Sequence, residues 1–244
     1  MFDISNRVRR NVLVSSDQGI MIVNRFDCNQ QQVGHGQWLL DHGSVSSVEA
    51  SETYKCLMNV QSPVFFDVGA NIGTYTTWIA KLFPHSKIYA FEAQRLVFQM
   101  LCGNLAINNF DNCYTYNMAI GSKNGFITVS EPNYYSNEDF GIFSLIEEKI
   151  KEKSGNIYNI PLITIDSFVE SYNINQVDFI KIDVEGMDLD VLQGATITIS
   201  KYNPSIFIEY SDNRTSILEK IVDYLGIDNY TFTIVGNNLL AKPK

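Results

Sequence analysis

The ten residues V-F-F-D-V-G-A-N-I-G, from Val64 to Gly73, restrict the fold of this chain more than any other stretch. Val64 to Val68 is a short apolar run broken by one acid, the pattern of a strand buried on both faces of a parallel sheet. Two glycines follow at once. Gly69 and Gly73 let the backbone turn sharply and come close to a ligand, and Asn71 between them is among the few residue types that tolerate positive φ. Thr74 to Leu82 then reads as a helix with Trp78, Ile79 and Leu82 on one face and Pro84 just past its end. A dinucleotide fingerprint would need glycine at positions 69, 71 and 74, and the last two hold asparagine and threonine, so that ligand class is not indicated.

A second stretch, V-D-F-I-K-I-D-V-E-G-M-D-L-D-V-L-Q-G-A from Val177 to Ala195, carries the most chemistry. A buried strand should be apolar throughout, yet Lys181 and Asp183 interrupt this one, and a period of two puts both on one face. A lysine there needs a partner. The strand directs its carboxyl end, with Glu185 at the tip, toward the crevice where open α/β sheets bind ligands. Asp188 and Asp190 open the following helix, where the first turn favours negative charge on structural grounds alone.

The rest of the chain repeats the strand-helix rhythm. Lys87 to Phe91 is a strand ending in Glu92, about twenty residues past the glycine loop, where nucleotide-binding α/β folds place a ribose-binding acid. A helix from about Arg95 to Asn108 covers the sheet with Val97, Met100, Leu101 and Leu105. Tyr114 to Ala119 is a third strand, bringing Met118 and Ala119 to the same edge. Met118 is a candidate to pack on a bound base, or is core. Gly125 to Val129 reads as an extra strand, and about 131–159 is an insertion whose Tyr134, Tyr135, Phe140 and Phe143 would either stack on an acceptor or fill a small core. Ser205 to Ile208 is a strand tipped by Glu209, Ser216 and Glu219 form a capping box, and Tyr230 to Val235 with Leu239 to Ala241 make a closing hairpin. Residues 1–60 read as a β-rich extension with a hairpin about D-Q-G. His35 and His42 within it lack metal-pair spacing, leaving His42 as a minor candidate.

Composition narrows the partners. The net charge of −9 opposes the counterion release that drives nucleic-acid binding, and the only basic cluster is Arg7, Arg9 and Arg10. No apolar run is long enough to span a bilayer, and the first residues lack the apolar core of a secretory signal, so the expected location is cytoplasmic. Cys28, Cys56, Cys102 and Cys113 are scattered, without the spacing of a zinc site or a disulfide framework.

The acid followed by G-x-N-x-G at Asp67 to Gly73 resembles motif I of class I S-adenosylmethionine (SAM) methyltransferases. Together with F-E at Phe91–Glu92, I-T-I-D-S-F at Ile163 to Phe168, K-I-D-V-E-G at Lys181 to Gly186 and L-Q-G-A at Leu192 to Ala195, it makes residues 60–244 resemble the FkbM family of that superfamily. Ala93-Gln94 stands where the family usually has proline, and Asp188 where it usually has glutamate. The resemblance implies a Rossmann-like, doubly wound, mostly parallel seven-stranded α/β sheet over 61–244 whose last strand is antiparallel. It implies SAM held by Asp67, Gly69, Ala70, Asn71, Gly73, Glu92, Ala93, Met118 and Ala119, and methyl transfer to a hydroxyl of a saccharide or small metabolite. The catalytic candidates are Asp183 or Glu185 as base, Lys181 to orient the carboxylate or, with its pKa lowered by burial, to act as base itself, and Glu209 beside them. The alternatives are a SAM-binding module without turnover and a metal-assisted O-methyltransferase using Asp183, Glu185 and Glu209. No metal is expected, because Lys181 already balances the charge.

Overall fold

A computed structural model of the protein describes residues 9–27, 34–45, 47–137, 140, 157–184, 186–210 and 215–244. A hairpin of β1 (Asn11–Ser16) and β2 (Gly19–Asn24) leads into α1 (His35–His42) and α2 (Ser47–Leu57). Then come β3 (Val64–Val68), α3 (Thr74–Leu82), β4 (Lys87–Phe91), α4 (Arg95–Ile107), β5 (Cys113–Tyr116), β6 (Ala119–Ile120), β7 (Gly125–Ser130) and β8 (Ile157–Ile163). The chain continues through α5 (Ile165–Ser171), β9 (Phe179–Ile182), α6 (Asp188–Gln193), α7 (Thr196–Tyr202), β10 (Ser205–Glu209), α8 (Thr215–Leu225), β11 (Tyr230–Val235) and β12 (Asn238–Pro243).

Seven strands form one sheet in the order β11-β12-β10-β9-β3-β4-β5. All neighbours from β10 to β5 are parallel, and β12 runs antiparallel to both β10 and β11. This is the expected sheet, closed by the expected antiparallel last strand. From β3 the chain steps outward through β4 and β5, and later returns to β9 on the other side. The order therefore reverses between β3 and β9, where α/β sheets open a ligand crevice at their carboxyl ends.

The alternation of each strand assigns its residues to two apolar layers. Phe66, Val68, Ile180, Ile182, Ile206 and Ile208 face α5, α6 and α8 through Phe168, Val191, Leu192 and Ile221. Phe65, Phe179 and Phe207 face the other way, onto Tyr75 and Ile79 of α3 and Leu57 of α2. On α3 the buried face is Tyr75, Ile79 and Ala80, with Leu82 37% exposed, so the expected Trp78–Leu82 face is rotated. Trp78 instead donates its indole N–H to the Val45 carbonyl (2.7 Å), tying α3 to the N-terminal segment.

The third strand is shorter than expected. β5 stops at Tyr116, where Asn117 Nδ2 donates to the carbonyls of Glu92 (2.8 Å) and Ala93 (3.2 Å). The chain then leaves the main sheet, and β6 joins β7 and β8 in a separate three-stranded sheet.

The extension is β only in its first half, because the W-L-L-D-H run closes a helix instead. α1 buries Leu39 and ends at Gly43 in the left-handed region (φ 72°). The hairpin lies on α4. Asn104 and Asn108, one turn apart, pair with both backbone groups of Ile22 and Ile20, as a neighbouring strand would (2.5–3.1 Å). Val97 and Met100 consequently face Met21, Val23 and Leu39 of the extension, and only Leu101 and Leu105 reach Ala90 of the sheet.

Candidate active site

The polar groups at the crevice form a layer on top of the aromatic one. On the face of the sheet carrying Phe65, Phe179 and Phe207, the next residues along the strands are Asp67, Lys181 and Glu209. Asp67 and Lys181 are direct cross-strand partners in the register of β3 and β9. Lys181 Nζ lies 3.6 Å from Asp67 Oδ1, donates to Asp183 Oδ2 at 3.0 Å, and sits 5.5 Å from the centre of the Tyr75 ring. So the lysine's partner is a pair of carboxylates. Asp67 is fully buried, and its Oδ2 accepts from Thr76 Oγ1 (2.5 Å). Among the described residues nothing donates to its Oδ1 within hydrogen-bond length.

These contacts set the proton affinities. Burial alone would lower the Lys181 pKa, but Asp183 and Asp67, with Glu209 beyond, outweigh it and hold the ammonium above the ordinary lysine range. The expected route in which a lowered Lys181 serves as base is therefore reversed, because this lysine keeps its proton. Burial likewise pushes Asp67 up, against Lys181 and Thr76. At Asp183, whose side chain is 25% exposed, burial is overcome by Lys181 and by a hydrogen bond with Glu209, and the carboxyl lies below its ordinary value. Asp188 is 4% exposed, and burial followed by the Asp183 charge pushes it up to about 6. It accepts from the Val184 N–H (3.4 Å) and so stabilises the turn between β9 and α6.

The glycine loop sits opposite. Gly69, Asn71 and Gly73 all have positive φ (82°, 51° and 86°). A Cβ on Gly69 would run into the Asp183 carbonyl oxygen, so only glycine lets β3 and β9 approach here. The loop is moored to β4, with the N–H groups of Gly69 and Ala70 both donating to the Phe91 carbonyl (3.0 and 2.9 Å). Glu92, 6% exposed, accepts from the Asn71 N–H (2.9 Å) and the Gln94 N–H (2.7 Å), one on each oxygen. Burial pushes its pKa up to about 7 against those two bonds. A carboxylate oxygen has a second lone pair, so both oxygens keep an acceptor position for a diol. Ala93 and Ala119 meet in one small apolar cluster with Met187, and Met118 is half-buried against the main core.

Residues of the N-terminal segment and of the insertion contact the glycine loop and the turn after Glu92. His35 Nδ1 lies 3.3 Å from Thr74 Oγ1, at the end of the glycine loop, and within electrostatic range of Asp183. Gln94, 4% exposed, donates to the Phe140 carbonyl (2.7 Å) and accepts from Tyr134 Oη (3.1 Å). Tyr134 and Phe140 are buried in a core shared with Met21, Val23 and Leu39, so neither forms a stacking wall. Tyr135 is 60% exposed under the Arg10 guanidinium. His42 is exposed and stacked on Trp38. Glu185, Phe143, Cys28 and the charged part of the insertion lie outside the described residues; Cys56, Cys102 and Cys113 are free thiols. Among the described residues no cluster of three or more His, Cys, Asp or Glu has metal-holding geometry, and no helix is long and apolar enough to cross a membrane. A surface cleft of about 560 Å³, lined by Asp166, Glu170, Lys201 and Tyr202, opens beside the turn into the amino end of β9, away from this edge.

Residues 67–234 match the methyltransferase FkbM domain. The chain belongs to the FkbM methyltransferase family. It is a SAM-dependent methyltransferase of the class I superfamily. Among curated relatives, "Methyltransferase sdnD" of Sordaria araneosa is 26% identical over 190 residues, covering 64% of this chain and 72% of that protein. "2-O-methyltransferase NoeI" of Sinorhizobium fredii is 23% identical over 215 residues, covering 82% of this chain and 87% of the relative. The crystal structure of methyltransferase FkbM from Methylobacillus flagellatus KT superposes with a TM-score of 0.54 at 18% identity, over 74% of this chain. The chain spans less than half, 43%, of that protein's length, and the likeness is one of fold. The residues present are compatible with SAM: beside the glycine loop, each Glu92 oxygen accepts one backbone N–H and keeps an acceptor position, the chemistry a diol needs.

Proposed function

We propose that this enzyme transfers the methyl group of SAM to a hydroxyl oxygen of a saccharide or similar small polyol. In this reading Gly69, Ala70, Asn71 and Gly73 pass under the methionine part, with Asp67 steadying it from below. Glu92 takes the ribose, and Ala93, Met118 and Ala119 flank the adenine. SAM supplies an electrophilic methyl on a sulfonium, so what remains for the protein is to align an oxygen nucleophile at near-attack distance.

The observation that carries the reading is the buried Lys181 holding Asp183 ionised at the carboxyl edge beside the glycine loop. An ionised carboxylate there can accept a hydrogen bond from a hydroxyl of the acceptor polyol and so orient it, while Lys181 fixes the carboxylate and Glu209 supports it from β10. Glu185 remains the second carboxylate assigned to this tip. The relative named as a 2-O-methyltransferase supports oxygen as the acceptor atom.

The test is incubation with methyl-labelled SAM and a panel of methyl glycosides, polyols, amines and thiols, with S-adenosylhomocysteine release and product NMR as readouts. O-methylated glycoside is the expected product. Labelled amine or thiol with untouched glycosides would overturn the reading.

A further inference from the structure

Transfer to a hydroxyl leaves a proton to be placed, and the Lys181–Asp183 pair on β9 accepts it poorly. Lys181 is held protonated by Asp183, to which it donates at 3.0 Å, and Asp183 is held ionised by Lys181. Brønsted behaviour makes a carboxylate below its ordinary pKa a weak base. In the reading above Glu92 is occupied by the ribose, and among the described residues a further ionisable side chain reaches this edge from the N-terminal segment. His35 is half-buried, with Nδ1 at 3.3 Å from Thr74 Oγ1 and with Asp183 within reach of its charge.

The chain is built to deliver that imidazole. Asp27, 3% exposed, accepts from the Gly36 N–H (2.8 Å) with one oxygen and from the Phe140 N–H (3.0 Å) with the other. It thereby pins the first turn of α1 to the insertion. The residues flanking His35 leave no room for side chains. A Cβ on Gly34 would run into the Asp27 carboxylate, and one on Gly36 would lie 2.9 Å from the Asn24 carbonyl. Both neighbours have to be glycine for the turn to seat, and His35 is the side chain it presents beside Thr74 at the end of the glycine loop.

We propose that His35 is the base of the reaction, receiving the acceptor hydroxyl proton while Asp183 stabilises the imidazolium that forms. The acceptor oxygen makes the new bond to the methyl carbon as the carbon–sulfur bond breaks and sulfur keeps the electron pair. The hydroxyl proton passes to the imidazole and then to solvent. This role rests on the hydroxyl-transfer reading above. It makes the N-terminal segment part of the catalytic machinery, although the FkbM match begins only at residue 67.

The experiment compares wild type with His35→Gln, which keeps a polar contact for Thr74, and His35→Ala. Readouts are methyl transfer to methyl glycosides, calorimetric affinity for S-adenosylhomocysteine, thermal midpoint, and histidine 15N NMR. His35→Gln is expected to lower kcat by about 10²-fold or more, with cofactor affinity and thermal midpoint unchanged. Added imidazole should restore part of the rate to His35→Ala. Near-full kcat in His35→Gln overturns the proposal, and so does a loss of S-adenosylhomocysteine affinity that matches the loss of rate, since His35 would then be a cofactor ligand.

If wild type methylates amines or thiols but no hydroxyl, the hydroxyl-transfer reading has failed, and the placement of His35 is judged by NMR alone. The charged groups around this turn are Asp183, with Lys181 and Glu209 behind it, and Asp27. The His35 ring signals, assigned by their loss in His35→Gln, should shift on binding S-adenosylhomocysteine and again in Asp183→Asn. Signals insensitive to both would place the imidazole away from the crevice and overturn the proposal.

Discussion

The ribose contact proposed for Glu92 makes cofactor binding a pH-dependent event whose size follows from the surroundings of this carboxyl. Its carboxyl is raised from 4.5 to about 7, by burial first and against the two backbone N–H bonds from Gln94 and Asn71. A ribose diol donates two hydrogen bonds, which the ionised form accepts and the protonated form cannot fully accept. In the cofactor-free enzyme the competent fraction is then about a tenth at pH 6 and about nine tenths at pH 8, and apparent affinity scales with that fraction. The affinity for S-adenosylhomocysteine should therefore rise about tenfold across that interval, with up to one proton released per ligand bound near the lower pH.

Calorimetry in two buffers of different ionisation enthalpy measures both quantities. Glu92→Gln should be weaker by about 1.5–3 kcal/mol at pH 8 and nearly flat with pH. The linkage to stability has a definite sign. A carboxyl raised in the fold contributes most to stability below its unfolded value, and that contribution is lost as pH rises through about 4.5 to 7. The loss amounts to about 3 kcal/mol in the ligand-free protein. Bound cofactor should offset it. A pH-independent affinity with no proton release would refute the ribose assignment and the burial argument together.

Four further outcomes are expected. Lys181→Met leaves Asp67 and Asp183 without their cation and should cost about 3–5 kcal/mol in chemical denaturation at pH 7, with part of the loss recovered in acid as Asp67 takes up a proton. Gly69→Ala, which sets a methyl against the Asp183 carbonyl at φ 82°, should lower the thermal midpoint and abolish calorimetric binding of S-adenosylhomocysteine. Asn104→Ala removes the side chain that bonds Ile22 and the Ile72 carbonyl, and should cost about 1–3 kcal/mol and speed proteolysis within residues 11–24. Treatment with EDTA should leave methyl transfer intact; restoration of a lost rate by Mg²⁺ would bring back the metal-assisted alternative.

The sheet was legible because local signals agreed. Buried parallel strands read as apolar runs, the glycine loop fixed the first crossover, and Lys181 within an apolar strand announced a partner before its identity was visible. That partner, Asp67, was named for another reason, and only the strand register brings the two side by side. What stayed hidden depends on contacts distant in sequence. Gln94 stood out only as a departure from the family pattern, yet it links Glu92 to Tyr134 and Phe140, some 40 residues on. The two faces of α4 look alike in sequence, and nothing there says that Val97 and Met100 serve the N-terminal hairpin.

His35 shows where sequence reasoning has to change its question. As a lone histidine it carries no ligand spacing, and its residue type alone favours a structural role. The useful signal was its neighbours. Two glycines around one ionisable residue at the start of a helix cost conformational entropy, and glycine is tolerated there only where backbone must approach something closely. At residues 34–36 that something is Asp27, which also holds Phe140, so one buried carboxylate fixes both the segment before the glycine loop and the insertion after it. In the proposed reading the strands of the main sheet supply cofactor binding, which leaves the two segments joined at Asp27 to set the acceptor. Acceptor choice within the family should accordingly follow residues 9–45 and 131–159 more closely than the K-I-D-V-E-G strand. Exchanging those two segments together between this enzyme and a relative of different acceptor should carry the preference across, whereas exchanging either one alone should break the Asp27 link and lose activity with both acceptors.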